Sequence, residues 1–582
     1  MGRELDNYHG HYKYFVADAG DLDYYVIAGE NVAEITRRYT WLTGRPAFMP
    51  RWSLGYSGST MSYTDAPDAQ TRMDEFLAKC AEHDIQCESF HLSSGYTSIG
   101  PNRYVFNWNR DKFPDPAAFA RRWLDHGVRL CANIKPCLLQ DHPQFEQAAK
   151  DGLFIHDPDG TPTMVQFWDE VGAYLDFTNA KARAWWKNGV KTALLEYGIA
   201  STWNDNNEFE VWSEKARIDG FGKPAPARES KVLHTLLMLQ ASRQAQREHV
   251  PRTRPFLISR AGAAGMQRYV QTWSGDNYTS WETLRYNIRM GTGLALCGIS
   301  NTGHDIGGFS GPKPEPELFL RWVQFGVFLP RFSIHSWNDD FSANEPWMYP
   351  EVTPHIRALI RFRHRLIPYF YDLLWKYHDR YEPIIRPTLH DFPDDPRCFE
   401  ENDDMLLGAN LLVAAVVEAG ARSRRVYLPA GADWYDFWSG EPFAGGQEVV
   451  LPAPWDRPPL LARAGSAVPL NLAEAHFNRP ADERGFAIFP HRGSGAFSQD
   501  CFEDDGESED YRNGRHGAWS LSVTSEPDVL RIGIGRTGTL PPSAGKVTLL
   551  LPAQERRRLV FEGATLVSDR AEAGVRRVEV AA

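Results

Sequence analysis

Between about residue 51 and residue 379, short apolar runs alternate with amphipathic stretches long enough for helices. The apolar runs number eight: 52–56, 86–91, 128–134, 200–203, 256–259, 269–273, 298–302 and 328–332. A helix between two strands carries the chain back to the start of the next, so such strands pair in parallel, and eight is a number that closes a parallel sheet on itself. The pattern predicts an α/β fold, a (β/α)8 TIM barrel over 46–385. Two intervals break the repeat. The third and fourth runs are separated by an aromatic stretch with Gly and Pro turns, which predicts an insertion at 138–178; the fifth and sixth are too close for a full helix.

The flanks read as β structure. Tyr12-Lys13-Tyr14-Phe15-Val16 and Asp23-Tyr24-Tyr25-Val26-Ile27 alternate as strands do, and predict a truncated N-terminal β segment over 1–45. After a helical stretch at 352–377, turn residues separate Val- and Leu-rich runs at 411–416, 425–428, 448–451 and 546–551. These predict two C-terminal all-β sandwich domains, a proximal one over 386–470 and a distal one over 471–582. A chain of 582 residues exceeds what one core serves, in keeping with several domains.

Charge and cysteine usage exclude some functions. The 63 Lys and Arg against 75 Asp and Glu give a net charge of −12, and the two signs are interleaved, so neither nucleic acid nor an anionic membrane is an expected partner. The seven cysteines are scattered, without a CxxC pair or Cys/His cluster, which predicts free thiols in a reducing compartment and no zinc site. The acidic stretch Glu503-Asp504-Asp505-Gly506-Glu507-Ser508 lacks the spacing of a calcium loop and is expected to be a solvated turn. No signal-like leader opens the chain and no run of ~18 apolar residues spans a bilayer, so a cytoplasmic location is expected.

Four polar residues stand after strand candidates: Asp205 in Trp203-Asn204-Asp205-Asn206-Asn207-Glu208, Asp276 in Trp273-Ser274-Gly275-Asp276-Asn277, Asp305 in His304-Asp305-Ile306-Gly307-Gly308-Phe309, and His335. In a parallel barrel all strand C-termini meet at one rim, so these groups converge there. The neighbouring aromatics suit a pocket in which a sugar's apolar face meets a ring and its hydroxyls meet carboxylates. Glycoside hydrolysis needs one carboxyl kept protonated and another ionised, and Asp205 with Asp276 supplies that pair. Arg260, directly after the fifth run, is placed to hold a carboxylate ionised.

These residues resemble glycoside hydrolase family 31, the α-glucosidase and α-xylosidase family, over about 36–514. The Trp203-to-Glu208 segment is similar to that family's W-x-D-M-N-E, and Ser259-Arg260, Gln267-Arg268-Tyr269 and 273–277 are similar to its acid/base region. The resemblance implies Asp205 as nucleophile and Asp276 as general acid/base. It also implies Trp203, Asn206, Arg260, Trp273, Asp305, Phe309 and His335 as substrate-binding residues, with Glu208 in support. The implied activity is exo-acting hydrolysis of an oligosaccharide or other α-glycoside with retention, requiring no metal or organic cofactor. Transglycosylation by the same pair, or a silent carbohydrate-binding protein, are the other readings.

Four departures from the family pattern stand out. Phe90-His91-Leu92-Ser93-Ser94 lacks the usual Asp-x-Asp carboxylate, which leaves the sugar open between glucose and another α-glycoside. Asn206 replaces a common Met. Phe167-Trp168-Asp169-Glu170 replaces Trp-Pro-Gly and offers Asp169 or Glu170 to the pocket. Relatives carry a whole β-sandwich before the barrel, of which only the last strands are expected here, with an upstream start.

Overall fold

The computed structural model describes residues 23–540, 546–572 and 574–581. Eight strands form a closed parallel barrel: β1 (Tyr56–Thr60), β2 (Ser89–Leu92), β3 (Arg129–Ile134), β4 (Ser201–Asn204), β5 (Phe256–Ser259), β6 (Gln271–Trp273), β7 (Thr302–Ile306) and β8 (Arg331–Ser336). The seam pairs β1 with β8 from Tyr56↔Phe332 to Thr60↔Ser336. Helices α1 (Ala69–His83), α2 (Pro116–Asp125), α3 (Ala180–Ala193), α4 (Lys231–His249), α5 (Trp281–Leu296) and α6 (Pro316–Gly326) connect the strands, and α7 (Thr353–Arg380) follows β8. Side-chain caps start several of them: Asp115, Asn179 and Ser280 accept from the N–H groups of Ala118, Lys181 and Thr283. As the spacing predicts, β5 and β6 are joined without an α-helix, through a single 3-10 turn at Met266–Arg268.

Several strands lie later than their apolar runs. β1 begins where the run 52–56 ends, because Arg51–Leu54 winds into a 3-10 turn, and β7 and β8 are displaced in the same sense from 298–302 and 328–332. The C-terminal halves of these strands are Ser-Gly-Ser-Thr, His-Asp and Ile-His-Ser, all buried. Polar side chains facing the barrel mouth interrupt the hydrophobic signal before the strand stops. Asp305 and His335 are therefore inside strands rather than beyond them.

The insertion is a three-stranded sheet of Cys137–Leu139, Met164–Gln166 and Val171–Tyr174 with a short helix, Phe145–Lys150. Its own core joins Tyr104, Ile155, Phe167 and Tyr174 to Phe209 and Ile218 from a long β4–α4 connection. The N-terminal β expectation is not met where it can be compared. Asp23–Ile27 forms no strand and Val32–Thr43 is a helix capped by Asn31, while Tyr12–Val16 lies outside the described residues. The helix buries Thr36 and Thr40 on one face, a four-residue spacing that competes with the two-residue alternation of a strand.

Beyond α7 the sheets pack face to face. Val426, Leu428 and Leu451 of a two-stranded sheet meet Leu406, Leu412, Trp434 and Leu461 of a six-stranded one. Farther on, Trp519, Leu521 and Ile532 of a four-stranded sheet meet Phe486, Ile488 and Leu549 of a five-stranded one, which already includes Ser466–Asn471. The acidic turn at 503–508 is not simply solvated: Asp504 is buried, bonded to Arg254 of the barrel and to the Tyr371 hydroxyl, and only the outer residues of the turn meet water. A buried carboxylate is tolerated because both oxygens find donors.

The barrel seam has a buried staple. Arg363 of α7 donates to the carbonyls of Leu54 (2.7 Å), Val327 (3.0 Å) and Pro330 (2.9 Å), just ahead of β1 and β8, and its guanidinium lies 3.6 Å from the Phe370 ring centre. Arg363→Met leaves three buried carbonyls without donors, at a cost of about 1–3 kcal/mol each. The expected outcome is a fall of several degrees in the thermal unfolding midpoint; an unchanged midpoint would remove the staple from the account of closure.

Candidate active site

The rim above β3 to β6 is stitched by backbone and amide groups. Asp205, one residue past β4, donates its N–H to Ile134 O of β3 at 3.0 Å, which keeps its side chain turned into the barrel mouth. Asn206 takes φ 45°, a left-handed conformation that short polar side chains tolerate. The buried Asn207 amide donates to Ser259 Oγ and accepts from the Ala261 N–H, tying the end of β4 to the end of β5.

Asp205 is buried and its two oxygens differ. Oδ2 accepts from Asn133 Nδ2 at 2.9 Å and Lys135 Nζ at 2.7 Å, whereas Oδ1 has no hydrogen-bond partner among the described residues and faces Arg260 at 3.8 Å. Burial pushes this carboxyl up, but Lys135, Arg260 and Asn133 outweigh it and hold the pKa at about 2.

Arg260 is the hub of the charged groups. Its Nε bonds Glu208 at 2.5 Å and its Nη1 stands 3.2 Å from Asp276 Oδ2. Those contacts place an oxygen of Asp276 no more than about 7 Å from Oδ1 of Asp205. Asp276 is half-exposed, set over the rim by the turn at Gly275 (φ 81°). Desolvation raises its pKa; Arg260 and Lys135 pull it down, and the neighbouring charges of Asp205 and Glu208 raise it further. The two carboxyls are thus displaced in opposite directions.

Rings and unpartnered polar atoms line the floor. Trp203 stands 5.7 Å from Trp273 and 5.3 Å from His335, both edge to face, and His335 lies 5.0 Å from Phe309. Phe309 follows Gly307 and Gly308, both at positive φ; a Cβ on Gly308 would meet the Thr279 Cα at 2.7 Å, so only glycine lets the loop pass. Asp305 is buried against Arg331 at 3.1 Å, and burial, only partly offset by that guanidinium, pushes it up to about 7. Burial, with Arg331 nearby, presses His335 down to about 3 and keeps it neutral. Asp305 Oδ2, His335 Nδ1 and the indole N–H groups of Trp203 and Trp273 are buried without partners among the described residues. Such orphaned groups are costly unless something polar fills the pocket.

The structure gathers the sequence-predicted residues into one neighbourhood. Asp205, Glu208, Arg260 and Asp276 share one charge network; Trp203, Trp273, Phe309 and His335 form one chain of rings; Arg331 connects Asp305 to it, 5.5 Å from the centre of Trp273; and Asn206 joins through Lys135. Four residues were missed: His91, whose ring centre is 6.0 Å from that of Trp203, and Asn133, Lys135 and Arg331. The signal for two of them is in Cys131-Ala132-Asn133-Ile134-Lys135-Pro136, where polar residues two apart close an apolar strand and so face the same side. Of the two insertion carboxylates, Asp169 reaches only the edge, bonded to the Arg103 N–H at 2.5 Å, and Glu170 turns back to the Val171 N–H. Trp168 is the insertion's contact with the site, its ring 5.0 Å from Lys135 Nζ.

Comparisons with known proteins find relatives along most of the chain. The glycosyl hydrolases family 31 TIM-barrel domain matches residues 46–373, and the family 31 C-terminal domain matches 381–468. Alpha-glucosidase 2 of Bacillus thermoamyloliquefaciens is 30% identical over 559 residues, covering 94% of this chain and 69% of that protein. Human neutral alpha-glucosidase C is 31% identical over 470 residues, 78% of this chain and 50% of the relative, so the chain spans about half of that protein's length. Among solved structures, a family 31 dextranase of Flavobacterium johnsoniae complexed with glucose superimposes with a TM-score of 0.84 at 25% identity, over 95% of this chain and 72% of that one. A family 31 alpha-xylosidase of Xanthomonas citri gives 0.78 at 27% identity, over 90% and 58%. With the family's barrel domain matched over residues 46–373 and a relative 30% identical across 94% of this chain, the chain belongs to glycosyl hydrolase family 31.

Proposed function

We propose that the protein is a retaining exo-α-glycosidase, α-glucosidase-like, that removes a terminal α-linked sugar from an oligosaccharide by double displacement. The observation that carries this reading is the pair of carboxyls bridged by Arg260, one held at about 2 and the other raised. Environments that drive two acids apart in this way make one a nucleophile and the other a proton donor. In the first step Asp205 Oδ1 attacks the anomeric carbon, the glycosidic C–O bond breaks, and Asp276 gives its proton to the departing oxygen. In the second, Asp276 takes a proton from water, whose oxygen attacks the anomeric carbon and releases Asp205 as a carboxylate. The orphaned Trp203, Trp273, Asp305 and His335 atoms provide donors and an acceptor for the hydroxyls of that sugar, and the ring chain provides an apolar wall. The names of the relatives, alpha-glucosidase and alpha-xylosidase, support an α-linked gluco- or xylo-configured substrate.

Three outcomes are expected. Asp205→Ala abolishes turnover of 4-nitrophenyl α-glucoside, whereas Asp276→Ala loses about 10²–10⁴-fold on an α-linked disaccharide and far less on an aryl glycoside whose leaving group needs no proton; equal losses on both substrates would take Asp276 out of the donor role. NMR of the first-formed product shows the α anomer, and the β anomer would refute double displacement. The pH dependence follows from the two displacements: Asp205 is ionised above about 2, so activity is present in acid and declines as pH rises through the raised value of Asp276, when the donor loses its proton. A kcat/KM that keeps climbing on the alkaline side contradicts that assignment.

A further inference from the structure

Lys135 enters the mechanism so far only as one of the groups that keep Asp205 ionised, yet its ammonium touches the attacking carboxylate. It sits one residue beyond β3, between Ile134 and Pro136, with its side chain 9% exposed. One N–H goes to Asp205 Oδ2 at 2.7 Å and another to the Asn206 side-chain oxygen. The Trp168 ring of the insertion covers its outer side at 5.0 Å. The charged groups around it come from every neighbouring element: Asp205 after β4, Arg260 after β5, Asp276 after β6, and Arg103, itself paired with Asp65 and Asp169. Burial and the two guanidiniums favour the neutral amine, and the contact with Asp205 opposes them.

The placement has a chemical consequence. Lys135 and Asn133 both bind Oδ2, so Oδ1 alone is left to form the glycosyl bond. When Oδ1 bonds to the anomeric carbon and the glycosidic bond breaks, Asp205 becomes a neutral ester whose carbonyl oxygen, Oδ2, still faces the ammonium. When water attacks and the Oδ1–carbon bond breaks, the negative charge returns beside the same ammonium. A fixed cation stabilises the carboxylate more than the ester, so it restrains the attack and assists the departure. Resting on the retaining reading above, we propose that Lys135 is a positioning residue that selects Oδ1 as the attacking atom and speeds breakdown of the glycosyl-enzyme relative to its formation.

The two half-reactions separate in stopped flow with 2,4-dinitrophenyl α-glucoside, where the burst reports formation of the glycosyl-enzyme and the steady state its hydrolysis. Lys135→Met removes both charge and hydrogen bond; Lys135→Gln keeps a donor without the charge and guards against misfolding of the first variant. Both variants are expected to slow hydrolysis of the intermediate by about tenfold relative to its formation. If both steps slow by one common factor, if formation suffers more, or if neither changes in the folded variants, the proposal falls. Failure of the underlying reading looks different: wild-type enzyme would release the inverted anomer or show no covalent intermediate.

Discussion

The pairing of β1 with β8 is the contact on which the site depends. An open sheet would still carry Asp205 and Arg260 on adjacent strands, but His91 and His335 belong to strands that meet only through β1. Ser59 stands opposite both, so closure sets the two histidines at one level of the barrel mouth. Arg363 reinforces that seam from outside, where the chain enters the two strands and the backbone carbonyls have no ladder partner. A parallel barrel then points every strand C-terminus the same way, and the polar ends of eight separate segments become one surface.

Within that surface, burial and charge work against each other. Asp205 is pulled below the carboxylate range although it is buried, because two cations and an amide reach it. Asp305 has a single guanidinium and is pushed up to about 7, so burial wins there. Asp276 lies between, touched by Arg260 but crowded by the negative charges of Asp205 and Glu208. Donor number separates Asp205 from the equally buried Asp305, and depth separates Asp305 from the half-exposed Asp276, since each of those two meets a single guanidinium. The same logic explains why Asp504, far from the pocket, is stable at the interface between barrel and C-terminal sheets: Arg254 and Tyr371 both bind it.

The insertion gives the site a wall that the barrel alone lacks. Its sheet is held by a separate small core, and it delivers Trp168 over both Lys135 and Arg103. Asp169 is used to bind Arg103, so the segment contributes a ring to the pocket and keeps its acid for internal structure. Within β2 lies a buried His91 and no carboxylate, the imidazole kept neutral by burial and by the charge of Arg331. The β2–β3 side of the site therefore offers His91, Asn133 and Lys135, while its carboxyls come from β4, β6 and β7.

The count of strands, the insertion, the C-terminal β regions and the convergence of the ten singled-out residues at one rim were legible in the sequence, since each depends on local periodicity or on a short motif such as Trp203-to-Glu208. The ends of β1, β7 and β8 were not, because a strand that lines a polar pocket loses its apolar alternation just where the functional residues begin. The helix at Val32–Thr43 was hidden for a related reason, a polar stretch with only two buried positions. Lys135 illustrates the division most sharply. Its place at a strand end is written in the chain, but whether an ammonium there faces water or a carboxylate 70 positions away depends on β3 lying beside β4 in register, Asn133 against Trp203. Sequence fixes what each segment carries; the strength and sign of an electrostatic contact depend on distance and desolvation, and only the closed barrel supplies those.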